Sequence, residues 1–454
     1  MSSGGHGGIG LPFLHELHEM LESTGSKGGF SVPGMWVLVS FLVITLLFTA
    51  NAPQQSDYNW SLLFLTAPLW LPIMAGRFAL MRWLQFRRMQ FVSEKKYVLL
   101  EMRIPRDTNK TPQAMETVFA NLHLGPGEST WWKKYWVGGV RPWWSFELVS
   151  LEGIIHFYIW TREDMRRAVE TYIYAQYPEV EIIEAADYSR LIDPSKKPYK
   201  MNAYHYKHGE PDAYPIRSYI DYGLDRPPGK DEEKVNPLAQ VLELLGSAGP
   251  GEQIWIQICA RVTKSERWRG KVNAKGKPYT WKDEAKELVE DLRKKQVIEG
   301  GKDQKLPAPT EVQKDTIAAI ERNVSKPGFD VGIRAIYCAP EDKYYGSMGG
   351  YVANIFKPFG SSGLNSIGTA PGLSDTPDYP WFDPQGTKAA GAMHEGVELY
   401  RRRAFYYPPF RGSWMVMSTE ELATLYHVPS SSVKTSSIPR IQSTTAAAPS
   451  NLPT

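Results

Sequence analysis

Only two cysteines, Cys259 and Cys338, occur among 454 residues, with no CxxC pair and no His/Cys cluster. That excludes a disulfide framework and a structural zinc site of the usual ligand spacing, and it fits a reducing compartment. Net charge is equally scarce: 52 Lys and Arg face 49 Asp and Glu, leaving +3. No whole-molecule field draws such a chain onto nucleic acid or acidic lipid, so any basic surface must be local. There is no G-x-x-x-x-G-K-[ST], and the Gly-rich run 360–372 lacks the lysine that reaches phosphates. No G-x-S-x-G elbow, HExxH or strand-placed G-x-G-x-x-G occurs, and the scattered carboxylates form no recognisable acid/base couple. Catalytic residues, cofactor and metal are each read as none, and the chain is expected not to be an enzyme. His15 and His18, at i, i+3 without further ligands, read as solvated helix positions.

Against these absences, apolar runs stand out. Met35–Ala50 (MWVLVSFLVITLLFTA) carries no charge, and with its flanks it approaches the ~20 residues that a bilayer-spanning helix needs. A second run, Trp60–Ala79, is broken only by Arg77 and contains Pro68 and Pro72, which a membrane helix tolerates with a kink. Two transmembrane helices, about 32–52 and 60–80 within residues 32–84, are expected. The link 51–59 lacks Lys and Arg, whereas Arg77, Arg82, Arg87, Arg88, Lys95 and Lys96 crowd the far side, so charge asymmetry puts both termini in the cytoplasm. Ahead of this hairpin, residues 1–31 form an N-terminal segment in which Leu14, Leu17, Met20 and Leu21 give Leu11–Leu21 one apolar helical face.

From Lys95 the periodicities change. Tyr97–Ile104 reads as a strand, Pro112–Leu122 as a helix started by Thr111 and an N1 proline, Ser145–Ser150 and Gly153–Trp160 as strands, Glu163–Tyr177 as a helix, and Glu179–Ala185 as a strand. That order is the ferredoxin-like split βαβ, assigned to residues 95–190. A looser copy spans 214–360: strand Ile216–Tyr222, helix Asn236–Leu245, strands Gln253–Val262 and Asp330–Cys338, and helix Gly346–Phe356. Charged helices Trp281–Lys295 and Thr310–Ser325 form a helical insertion, 280–326. Residues 361–429 are irregular and rich in Gly and Pro, ending in a short helix, and 430–454 reads as a disordered tail. The expected fold class is α+β: an N-terminal two-helix transmembrane hairpin followed by two ferredoxin-like α/β modules, the second with an inserted helical hairpin.

Two segments carry candidate contacts. Trp131, Trp132, Lys133, Lys134 and Trp136, followed by Arg141, Trp143 and Trp144, interleave rings with bases as a membrane-surface or single-strand-binding site does, with ordinary loop packing as the third alternative. In Ser418–Pro429, Leu422, Leu425 and Tyr426 share one helical face between a Ser418 or Thr419 cap and the Pro429 stop. Such a face serves a partner-binding groove or a groove in its own chain equally well. Arg401–Arg403 reads as a solvated face, or as a contact for an acidic partner.

Leu99–Phe119 (LLEMRIPRDTNKTPQAMETVF), the stretches FELVSLEGIIHFYIWT and YAQYPEVEI, and Ser418–Pro429 (STEELATLYHVP) resemble a family of uncharacterised bacterial membrane proteins related to type IV secretion and conjugation. In that family such modules accompany or precede a HerA/FtsK-like ATPase, whose motor domain this sequence lacks. The resemblance implies a non-enzymatic, membrane-anchored scaffold or docking component at the bacterial plasma (inner) membrane, with the lipid bilayer and a separate HerA/FtsK-like ATPase as partners. The alternative is a membrane-associated single-stranded nucleic-acid-binding factor, and a homo-oligomer is compatible with either.

Overall fold

The computed structural model describes residues 56–105, 108–124, 130–192, 199–226, 235–263, 279–298, 310–370, 387–407, 410, 414–430 and 438–440. The chain divides into two compact units, one of residues 1–94, 127–140 and 406–411, the other of residues 95–126, 141–405 and 412–454.

In the first unit, Ser56–Ser93 forms one 38-residue helix, α1, and Trp132–Trp136 forms a π-helical turn. Among the described residues no helix is long and apolar enough to cross a membrane. The expected transmembrane hairpin is thereby corrected, and so is the multi-pass inner-membrane location that rested on it. Trp60–Ala79 is one part of a longer helix whose apolar residues are interrupted by Pro68, Pro72 and Arg77 and run on into Arg82, Arg87 and Arg88. Met35–Ala50, the segment containing His15 and His18, and most of 430–454 lie outside the described residues.

The second unit is built on a sheet of nine strands, every pairing antiparallel. Its first half comprises β1 (Tyr97–Arg103), α2 (Pro112–Leu122), β2 (Trp143–Leu151), β3 (Ile154–Arg162), α3 (Arg166–Gln176) and β4 (Glu181–Glu184). The β2–β3 turn is Glu152-Gly153, with φ of 53° and 88°, the left-handed pair that lets Leu151 face Ile154 directly. The second half comprises β5 (Tyr199–His208), α4 (Pro237–Gly246), β6 (Gln253–Val262), α5 (Trp281–Ile298), α6 (Glu311–Ser325), β7 (Gly328–Pro340), α7 (Gly346–Ala353) and β8 (Ile367–Ala370). It is followed by α8 (Thr387–Arg401), β9 (Met415–Ser418) and α9 (Thr419–Leu425).

The strand order is β4-β1-β3-β2-β6-β7-β5-β8, with β9 on the free end of β7 beyond β5. The two halves therefore meet at β2 and β6, paired from Trp143↔Arg261 to Leu151↔Gln253. This corrects the expectation of separate modules in tandem: one sheet runs through both, and one core serves both. Residues from α2, α3, α4, α7 and α9 pack on one face, among them Met115, Val118, Phe119, Val169, Ile173, Leu238, Val352 and Leu422.

The segment Ile216–Tyr222, read as a strand, is a turn. Three of its amides are taken by side chains: Ile216 N donates to Glu421, Ser218 N to Asp221 and Tyr219 N to Thr424. The strand that pairs with β7 in its place is β5, where Met201, Ala203 and His205 alternate inward. The sheet's second face carries an unusual set of inward residues, including Ser145, Glu147, Gln257, Cys259, Asp330 and Arg334, all buried. Gly332 lies among them because a Cβ there would meet the Phe405 ring at 2.6 Å.

Candidate functional sites

The aromatic and basic segment around Trp131 is split by the fold. In the first unit, Trp83 Nε1 donates to the Tyr135 carbonyl at 3.3 Å and Arg87 Nε donates to the Trp136 carbonyl at 2.6 Å, holding the π-helical turn against α1. Gly138 has φ +74°, and a Cβ there would overlap the Arg87 backbone, so only glycine permits this approach. The rings form a ladder: Trp132 to Trp136 at 5.2 Å, Trp136 to Trp83 at 5.7 Å and Trp83 to Phe86 at 6.4 Å. Trp131 is 68% exposed, Trp132 56%, Trp136 49%, Trp83 42% and Phe86 59%. Lys133 is exposed beside them, and Leu65, Leu71, Phe78 and Leu80 are exposed earlier on α1.

The remaining members of that predicted surface are not on it. Lys134 is buried. Arg141, Trp143 and Trp144 belong to the second unit, also buried: Arg141 Nη1 donates to the Val262 carbonyl at 3.0 Å, Trp143 Nε1 donates to the Arg403 carbonyl at 2.9 Å, and Trp144 stands edge-on to Phe329. Strand formation from Trp143 onward is the physical reason, since both faces of β2 are covered.

Ser418–Pro429 serves its own chain. Leu422, Leu425 and Tyr426 are buried in the main core, and the Tyr426 ring lies 5.3 Å from Phe146 and 5.9 Å from Phe157. Their expected role as a partner-binding face is corrected, because no surface of the three is left to offer. Ser418 and Glu421 form a capping box at the start of α9. The Glu421 carboxylate accepts from Ile216 N at 3.0 Å and Ser418 N at 2.9 Å, and burial pushes its carboxyl up to about 7. Glu420, also buried, receives Arg322 Nε at 3.1 Å and Lys326 Nζ at 2.9 Å, and Lys326 reaches Glu116 at 2.6 Å. Cations at the end of α6 are thus tied to carboxylates of α9 and α2.

Sequence reasoning passed over a third cluster, on the second face of the sheet. Arg403, with φ 45°, sends Nε and Nη2 to Glu147 at 3.0 and 3.2 Å, and Nη1 and Nη2 to Asp187 at 2.5 and 3.0 Å. Glu147 also accepts from Ser145 Oγ at 2.7 Å, Gln257 Nε2 at 3.0 Å and the Tyr188 hydroxyl at 2.7 Å, while the Tyr188 and Tyr400 hydroxyls share a 2.7 Å bond. Burial opposes the Asp187 charge, but the Arg403 guanidinium and the Ser189 donors outweigh it and hold the carboxyl below its ordinary value. Burial raises the Cys259 thiol, even with Arg334 Nη2 3.3 Å away, and raises Cys338 as well. Arg401 donates to the carbonyls of Ser189 and Ile192, and Arg402 alone of the three arginines keeps most of its side chain in solvent. The available signal was Ser145 and Glu147 alternating with Trp143, Val149 and Leu151 along one face of a strand.

A family profile described as a domain of unknown function, DUF8128, matches residues 87–440. The chain belongs to this family. No curated protein matches the sequence. Within the DUF8128 region the Arg403 cluster has paired charges, with Arg403 and Glu147 buried and Asp187 part-buried, and burial raises its Cys259 thiol, an arrangement suited to clamping the fold. Besides the ring ladder, the hairpin α5–α6 presents an exposed, charged face among the described residues of the DUF8128 region. Ala285, Val289 and Ile320 seat it around Ala213, and Lys286, Glu287, Glu290, Asp291 and Arg293 on α5, with Lys314, Asp315 and Glu321 on α6, are exposed.

Proposed function

We propose that the protein is a non-enzymatic docking scaffold that recruits a separate HerA/FtsK-like ATPase, as a component of a type IV secretion- or conjugation-like complex, through the outer face of α5–α6. The observation that carries this reading is where the hairpin stands. β6 and β7 pair directly, Val262 opposite Phe329, so a tight turn would join them. Sixty-five residues, 263–327, instead stand between them and include α5 and α6, the latter started by the Thr310–Gln313 capping box, on a small apolar seat. Charge of both signs on the outer face suits selective recognition, because a mismatched partner meets like charges. The paired Arg403 cluster supports the non-enzymatic part of the reading, since its ionisable groups are engaged with one another in holding the fold.

Co-purification with the HerA/FtsK-like ATPase of the same cell tests the proposal. Charge reversal at Lys286, Asp291 and Glu321 together is expected to abolish recovery of the ATPase while leaving the melting temperature within about 2 °C, as surface substitutions do. Undiminished recovery from the triple variant would overturn it.

A further inference from the structure

We propose that the ring ladder of the first unit is a stacking platform for single-stranded nucleic acid. Trp132, Trp136, Trp83 and Phe86 follow one another at 5.2, 5.7 and 6.4 Å, each ring about half open to solvent, and Trp131 adds the most exposed ring beside them. Every base has a flat apolar face, so a row of open rings takes successive bases without regard to sequence. The local charge is complementary to a phosphate backbone. Leaving aside the buried Lys134, residues 56–94 and 130–140 hold five cations, Arg77, Arg82, Arg87, Arg88 and Lys133, against two carboxylates, Asp57 and Glu94, in a chain whose net charge is only +3. Bases and rings interleave at the ladder itself, with the Arg87 guanidinium 5.8 Å from the Trp83 ring centroid and Lys133 exposed between Trp132 and Trp136 in the chain. A duplex hides its base faces, so the platform discriminates in favour of single strands. An anionic lipid surface would use the same cations and is the outcome that the test separates.

Fluorescence anisotropy of a labelled oligothymidylate titrated with the full-length protein is the measurement. The expected result is saturable binding that weakens steeply with rising salt, much weaker binding of a duplex of equal length, and about a tenfold loss of affinity in each of Trp131→Ala and Trp132→Ala. Both rings are exposed, so the variants are expected to keep the parent circular dichroism and melting temperature. Absence of binding at low salt, equal binding by the two variants, or equal affinity for duplex would overturn the proposal. So would co-sedimentation with phosphatidylglycerol vesicles that both variants lose while no oligonucleotide is bound.

Discussion

Arg403 grips Glu147 through two hydrogen bonds, Nε at 3.0 Å and Nη2 at 3.2 Å, with both side chains buried. The bond ties the segment that follows α8 to the strand β2, at the line where the two halves of the sheet meet. A buried pair adds little compared with an apolar substitute of the same shape, but removing one partner strands the other.

Arg403→Met is therefore expected to lower stability by roughly 3–5 kcal/mol, because Glu147 and Asp187 lose their counter-charge together. Urea denaturation measures it. A loss below about 1 kcal/mol would mean that the cluster is not the clamp described.

Leu422→Ala and Leu425→Ala are each expected to cost about 2–5 kcal/mol, the range for a large apolar side chain deleted from a packed core. A partner-binding face would give the opposite pattern, with unchanged melting and lost binding. Thermal denaturation of the two variants separates these outcomes.

Acid should destabilise the fold through two histidines. Burial lowers His205 to about 3 and His427 to about 4, and the neutral His427 ring bonds the Ala423 carbonyl at 2.9 Å and Asn236 Nδ2 at 3.0 Å. Both take up protons near pH 6.5 only when unfolded, so their contribution is complete above 6.5 and is lost as pH falls toward 4 and 3. Glu421, raised to about 7, works the other way and favours the folded state increasingly from pH 7 down to about 4.5. Two groups outweigh one, so the urea midpoint is expected to drop between pH 6.5 and 4.5. Glu421→Gln should steepen that drop, and His427→Gln should flatten it; the reverse order would contradict the assignment.

Gly138→Ala is expected to detach the π-helical turn from α1, since a Cβ would occupy the place of the Arg87 backbone. Tryptophan fluorescence should shift to the red as Trp83 and Trp136 separate. An unchanged spectrum would show that the turn does not depend on this approach.

Much of the second unit could be read locally. Thr111-Pro112 marked the start of α2, Glu152-Gly153 the hairpin, and Asn236, which accepts from Leu238 N at 2.9 Å, the start of α4. β5 escaped notice because His205 at an inward position and Tyr204 and Tyr206 on the opposite face break the apolar/polar alternation, and Ile216–Tyr222 misled because the amides of Ile216 and Tyr219 are claimed by residues about two hundred positions away. The Arg403 cluster needs Glu147, Asp187 and Arg403 brought together from three distant segments, which no local pattern announces. The apolar run Trp60–Ala79 has the composition of a membrane span, but the helix containing it extends through Arg77, Arg82, Arg87 and Arg88. Composition within a window carried no information on where the helix ends.

Hydrogen–deuterium exchange of the full-length protein, alone and with the HerA/FtsK-like ATPase, tests the docking account most directly. The account predicts slowed exchange on α5 around Lys286–Arg293 and on α6 around Glu311–Glu321, with Leu422–Tyr426 unchanged because that segment is already buried. Protection confined to other segments, with α5 and α6 exchanging as in the free protein, would contradict it.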